Sequence, residues 1–103
     1  MKVYHKFKAR QTSVDNIKFS SKLEADYYDQ LKMRQACGDL LFFLRQVPIQ
    51  LPASKYILDF VEFLSDGTVI FTELKGFNTP MGKLKIKQAE ELYPIKINVV
   101  TKV

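Results

Sequence analysis

Residues 56–75 read Tyr-Ile-Leu-Asp-Phe-Val-Glu-Phe-Leu-Ser-Asp-Gly-Thr-Val-Ile-Phe-Thr-Glu-Leu-Lys. Two runs rich in β-branched and aromatic residues flank Asp66-Gly67, which predicts antiparallel strands over Tyr56–Leu64 and Thr68–Lys75 joined by a tight hairpin. A chain built on such a hairpin must contain a sheet. Asp59, Glu73 and Lys75 interrupt these apolar runs, and a charged group on a half-buried strand is costly unless something binds it. Glu73 and Lys75, two residues apart, point to one face. Asp59 lies seven residues before Asp66 and Glu73 six after Gly67, so simple pairing brings both carboxylates to nearly the same height.

The remaining pattern supplies what covers such a sheet. Leu23, Tyr27 and Leu31 recur every fourth residue behind Ser20 and Ser21, predicting a helix from Lys22 to Cys37 closed by Gly38. Tyr27 and Tyr28 read as packing residues, and Cys37 as a buried residue at the helix end. Upstream, Val3 to Ala9 alternates as a weak strand or an ordered arm, and Asp15-Asn16 marks a turn between Ser13-Val14 and Ile17-Lys18-Phe19. Asp39–Arg45 is extended, while Gln46–Ser54, with Pro48 and Pro52, is irregular or an edge strand. Gly76 to Gly82 breaks regular structure. A second helix follows from Lys83 to Leu92, ended by Pro94, and Ile95–Val103 alternates as a last strand. The expected fold is mixed α/β, a central mixed β-sheet flanked by helices, in one domain over residues 1–103.

Composition excludes several classes. With 8 Phe, 5 Tyr and 47% hydrophobic residues in 103, the chain can bury a core and is not a disordered segment. A single cysteine, Cys37, rules out a disulfide scaffold, and no Cys-x-x-Cys pair is present to hold zinc. No apolar run approaches the roughly 20 residues of a membrane helix, so a reducing cytoplasmic setting without a leader is expected. The excess of 16 Lys and Arg over 11 Asp and Glu, a net +5, suits a polyanionic partner. It gathers in Lys2, Lys6, Lys8 and Arg10, and again in Lys83, Lys85 and Lys87, of which a helix face can present at most two together. His5, in the first cluster, reads as solvated or phosphate-contacting.

Two roles fit Asp59, Glu73 and Lys75. They can form a cross-strand ion pair on a solvated face, contributing about 0.2–1 kcal/mol. Alternatively, two carboxylates hold Mg²⁺ while water and a substrate phosphate fill its other positions, and the lysine orients or helps deprotonate the attacking water. Gly76 and the broken loop beyond leave room for a backbone to approach. Ser21-x-x-Glu24 is equally double: a capping box, or an acid carried on a helix near the same centre.

The set Ser21-Lys22-Leu23-Glu24-Ala25, Tyr56-Ile57-Leu58-Asp59-Phe60 and Glu73-Leu74-Lys75-Gly76 resembles the PD-(D/E)xK nuclease superfamily. With Gln46 to Ser54 leading into Asp59, it looks most like small phage-encoded members of the endonuclease I, or Holliday junction resolvase, family. The resemblance spans about Phe19 to Val100, with Leu58 standing where a proline usually precedes the aspartate. It implies a restriction-endonuclease-like core in which Asp59, Glu73 and the Leu74 carbonyl hold Mg²⁺, or Mn²⁺ in its place. It further implies Lys75 as the catalytic lysine and Glu24 as the acid near a second metal position. The implied activity is endonucleolytic hydrolysis of DNA, preferentially branched DNA such as a four-way junction, by a homodimer. Residues 1–19 are then the segment that reaches a partner subunit. The same chemistry on linear duplex or ends is the nearest alternative, and a non-catalytic DNA-binding protein the alternative of another class.

Overall fold

A computed structural model of the chain describes residues 12–75 and 79–103. The weak strand expected over Val3–Ala9, the cluster Lys2, Lys6, Lys8 and Arg10, and the loop residues 76–78 lie outside the described residues.

Chain order begins with a small hairpin of β1 (Thr12–Val14) and β2 (Ile17–Phe19). Asp15 and Asn16 turn it with φ of 53° and 64°, the two left-handed residues that a two-residue hairpin turn demands and that Asp and Asn tolerate. Phe19 is buried against Tyr28 of the next element, so this part of the expected arm packs on its own chain.

Helix α1 (Lys22–Ala36) starts where Ser21 Oγ accepts the Glu24 N–H at 3.1 Å. It ends with the Asp39 N–H on the Arg34 carbonyl and the Gly38 N–H on the Gln35 carbonyl, the paired bonds of a Schellman ending. Gly38 has φ 88°, a conformation that is strained for a residue with a Cβ. Cys37, expected to be buried, is exposed. It lies at the helix cap, beyond the inward stripe of Ala25, Tyr27, Tyr28 and Leu31.

Four strands form the main sheet: β3 (Leu40–Gln50), β4 (Lys55–Leu64), β5 (Val69–Leu74) and β6 (Ile97–Val100), in spatial order β3-β4-β5-β6. The first three are antiparallel, and β6 joins parallel to β5 after a crossover through α2 (Pro80–Leu92). Segment 46–50, expected to be irregular or an edge strand, continues β3 on the sheet edge, where Pro48 can do without a ladder donor. Helix α2 starts at Pro80 rather than Lys83: Thr79 caps it by accepting the Gly82 N–H at 3.0 Å, with Pro80 in the first turn. The last strand is shorter than Ile95–Val103, its regular part covering Ile97–Val100.

The helices cover opposite faces. Phe60, Leu74, Leu31 and Tyr27 cluster on the α1 side; Leu58, Val61, Ala89 and Ile97 cluster on the α2 side. Strict alternation would put Leu58 with Phe60, yet Leu58 shares a cluster with Val61. In β3, Phe43 packs on the α1 side while Val47 and Ile49 pack on the α2 side. Both strands therefore change faces between the paired residues Arg45↔Phe60 and Val47↔Leu58. The residues at the change are Gln46, with φ 51°, and Asp59. Asp59 thus sits where the alternating pattern is broken.

Candidate active site

The ladder between β4 and β5 runs from Phe63↔Val69 to Phe60↔Thr72. One step further brings Asp59 opposite Glu73, as the hairpin arithmetic predicts, and there the ladder opens. The Leu74 N–H donates to the Asp59 carboxylate, at 2.8 Å, instead of to a β4 carbonyl. Strand β5 stays paired with β6, through Glu73↔Val99, Leu74↔Val100 and a bond from the Lys75 N–H to the Val100 carbonyl at 3.0 Å. A trans peptide turns its C=O and N–H to opposite sides. With the Lys75 N–H held by β6, the Leu74 carbonyl is directed to the β4 side, into the fork.

The expected acids converge at this fork. Glu24 reaches from α1 close enough for its charge to act on Asp59, as does that of Glu73 from β5. Burial is the main force pushing the Asp59 carboxyl up to about 7; the Leu74 N–H opposes it, and the negative charges of Glu73 and Glu24 add to it. Glu24 also serves as a cap, its Oε1 accepting from Ser20 N–H at 3.3 Å and Ser20 Oγ at 3.0 Å. The two roles proposed for Glu24 from sequence are therefore compatible.

Glu73 is held from two sides. Tyr56 donates its hydroxyl to Oε1 at 2.7 Å, and Lys75 Nζ lies 3.2 Å from Oε2. Burial, followed by the bond to Glu73 and its charge, raises the Tyr56 phenol well above its ordinary value. The Lys75 side chain, 14% exposed, runs along α2 so closely that a Cβ on Gly82 would stand 2.7 Å from Nζ. Gly82, read from sequence as a loop residue, is a helical residue that makes room for the ammonium.

Of the basic residues on α2, Lys83 and Lys87 are exposed one turn apart, whereas Lys85 is half-buried with Nζ 3.3 Å from the Lys55 carbonyl. Sequence reasoning missed two tyrosine–glutamate pairs. One is Tyr56–Glu73. In the other, Glu62 is 1% exposed and accepts from Tyr27 at 2.5 Å, Thr72 at 2.7 Å and Arg34 at 3.1 Å. The rule that singled out Asp59, a charge within an apolar strand, applies equally to Glu62.

Among the described residues no three His, Cys, Asp or Glu side chains form a ready-made metal cage. The donor set still fits a hard cation of the Mg²⁺ type, which takes one or two carboxylates and keeps water or phosphate oxygens elsewhere. Asp59, Glu73 and the inward-turned Leu74 carbonyl are such a set. Three acids facing one lysine leave negative charge unbalanced, and this adds to burial in raising the Asp59 carboxyl. A hollow of about 320 Å³, lined mainly by Pro48, Ile49, Phe71, Tyr93, Pro94 and Ile95, contains none of these groups.

Among the described residues no helix is long and apolar enough to cross a membrane. No curated protein and no solved structure gives a significant match to the chain. Residues 4–103 match the family described as "Protein of unknown function (DUF1064)", and with nearly its whole length matched the chain belongs to that family.

Proposed function

We propose that the protein is a divalent-metal-dependent DNA endonuclease. The observation that carries this is the fork itself: Asp59, Glu73 and the Leu74 carbonyl meet where β4 parts from β5, with Lys75 beside them and Glu24 behind. Asp59 and Glu73 hold the cation, and Glu24 stands near a second position. When bound, Mg²⁺ lowers the pKa of a coordinated water and stabilises charge on the phosphate. Lys75, paired with Glu73 in the space that Gly82 leaves, directs its ammonium toward the attacked phosphate and the water. Water adds to phosphorus and releases its proton to solvent, the P–O bond to the departing strand breaks, and that oxygen takes a proton from solvent. Lys83 and Lys87, exposed on α2, supply contacts to the DNA backbone.

Branched DNA, such as a Holliday junction, is the substrate we favour, on the resemblance alone; the net charge of +5 suits any nucleic acid. Two symmetric cuts then require a homodimer, since one chain carries one such fork. Phage recombination or DNA processing in the host cytoplasm is the corresponding setting. A non-catalytic DNA-binding role has one observation in its favour, the internal pairing of Glu73 with Tyr56 and Lys75.

The test is cleavage of end-labelled four-way junction and matched linear duplex in Mg²⁺ or EDTA, by wild type and by Lys75→Ala. We expect Mg²⁺-dependent cutting of the junction, slowed at least 10²-fold in the variant. Equal cutting of the duplex removes the branch preference, and binding of either DNA without cutting favours the non-catalytic role.

Gly82→Ala offers a separate check. Alanine favours an α-helix by about 1 kcal/mol over glycine, but its Cβ would displace Lys75 Nζ. Thermal unfolding should show an unchanged or higher Tm, while cleavage falls about tenfold or more. Full activity in this variant would mean that the position of the ammonium does not matter.

A further inference from the structure

We infer that Tyr56 is a positioning residue of the fork, whose hydroxyl sets the orientation in which Glu73 meets the metal. The inference deepens the nuclease proposal and rests on it. Tyr56 is 5% exposed and packs with Leu51, Leu58 and Ala89 on the α2 side. Phenylalanine would fill that space equally well, so packing does not account for the hydroxyl. The hydroxyl is bonded to Glu73 Oε1 at 2.7 Å.

The second tyrosine–glutamate pair of the chain shows the difference. Both oxygens of Glu62 are occupied within the core: Oε2 by Tyr27 and Thr72, Oε1 by Arg34. That carboxylate is neutralised, 1% exposed and closed to a ligand. Glu73 has the same kind of phenol on Oε1, but its Oε2 meets Lys75, which belongs to the fork. Tyr56 anchors one oxygen and leaves the other to the site. Without that anchor the carboxylate can rotate to give both oxygens to Lys75, which takes the acid from the metal and the lysine from the phosphate. Partners that orient metal ligands in this manner typically account for 10–100-fold in metal affinity.

The experiment compares wild type, Tyr56→Phe and Tyr27→Phe, each losing at most one buried hydroxyl. Mg²⁺ affinity is read without DNA, by calorimetry and by the Mg²⁺ dependence of Tm, and again from the Mg²⁺ dependence of junction cleavage. We expect the half-saturating Mg²⁺ concentration to rise about tenfold in Tyr56→Phe and to stay within twofold of wild type in Tyr27→Phe. Both variants should lower the metal-free Tm by a few degrees. Unchanged Mg²⁺ affinity in Tyr56→Phe, or an equal loss in Tyr27→Phe, overturns the positioning role and leaves the nuclease proposal standing. A wild type that neither binds Mg²⁺ nor cuts DNA overturns both.

Discussion

Asp59→Asn should lower Mg²⁺-dependent cleavage by about 10³-fold and at the same time stabilise the metal-free fold at pH 8. Loss of a charged metal ligand removes several kcal/mol of charge stabilisation from the reaction, which is a rate effect of that size. The stability effect has the opposite sign because Asp59 is buried, 9% exposed, and faces two other acids. Its carboxyl lies at about 7 in the folded chain against an ordinary 3.8. Between about pH 4 and 7 the native state therefore holds a proton that the unfolded chain has released. The associated stability is fully present below the unfolded value and is lost as pH rises through 7. The ceiling is about 4 kcal/mol, reduced to about 2 by solvent at the open side of the fork. Asparagine keeps an oxygen to accept the Leu74 N–H, and its amide can donate to Glu24. Urea unfolding in EDTA from pH 5 to 8 checks this: the wild-type midpoint should fall relative to that of the variant as pH rises. Parallel profiles would show that neither burial nor the neighbouring acids raise the Asp59 carboxyl in the folded chain.

The other buried acid of β4 should behave in the reverse way. Glu62→Ala is expected to cost about 4 kcal/mol, a drop of about 20 °C in Tm for a chain of this size. Glu62 accepts from two buried hydroxyls, Tyr27 and Thr72, and from the Arg34 guanidinium, which also lies 3.3 Å from Asp39. Truncation strands both hydroxyls, at about 1–3 kcal/mol each, and opens a cavity between α1 and the sheet. Arg34 is spared a similar penalty, since its side chain is 29% exposed and can turn to water. Glu62→Gln, which retains an acceptor, should cost less than half as much. A loss below 1 kcal/mol for the alanine variant in thermal unfolding would show that the three donors find other partners.

Where local chemistry is self-sufficient, the elements could be read from the chain. Asp15-Asn16, Ser21, Gly38 and Asp66-Gly67 each encode a backbone conformation through their own side chain or the lack of one, and each turn or cap is where its residues indicate. Helix α2 starts before Lys83 because Gly82, which resembles a breaker in sequence, is a helical residue beside Lys75. Cys37 is exposed rather than buried because a helix end can face either way, and only the docking of α1 settles which.

The hairpin by itself determined that Asp59 and Glu73 stand at one height, since strand pairing depends on counting residues from a turn. It also determined that Lys75 shares a face with Glu73. Only the tertiary structure decided that β4 and β5 part at that height, that the Leu74 carbonyl turns inward, and that Glu24 arrives from α1. Tyr56 and Glu62 belong to the same class of fact, because each acquires its meaning from a partner 10 to 35 residues away in sequence. The physical reason is range. Turns and caps are closed by hydrogen bonds over two to five residues, whereas burial, which makes a carboxylate costly or useful, is created only when distant segments exclude water together.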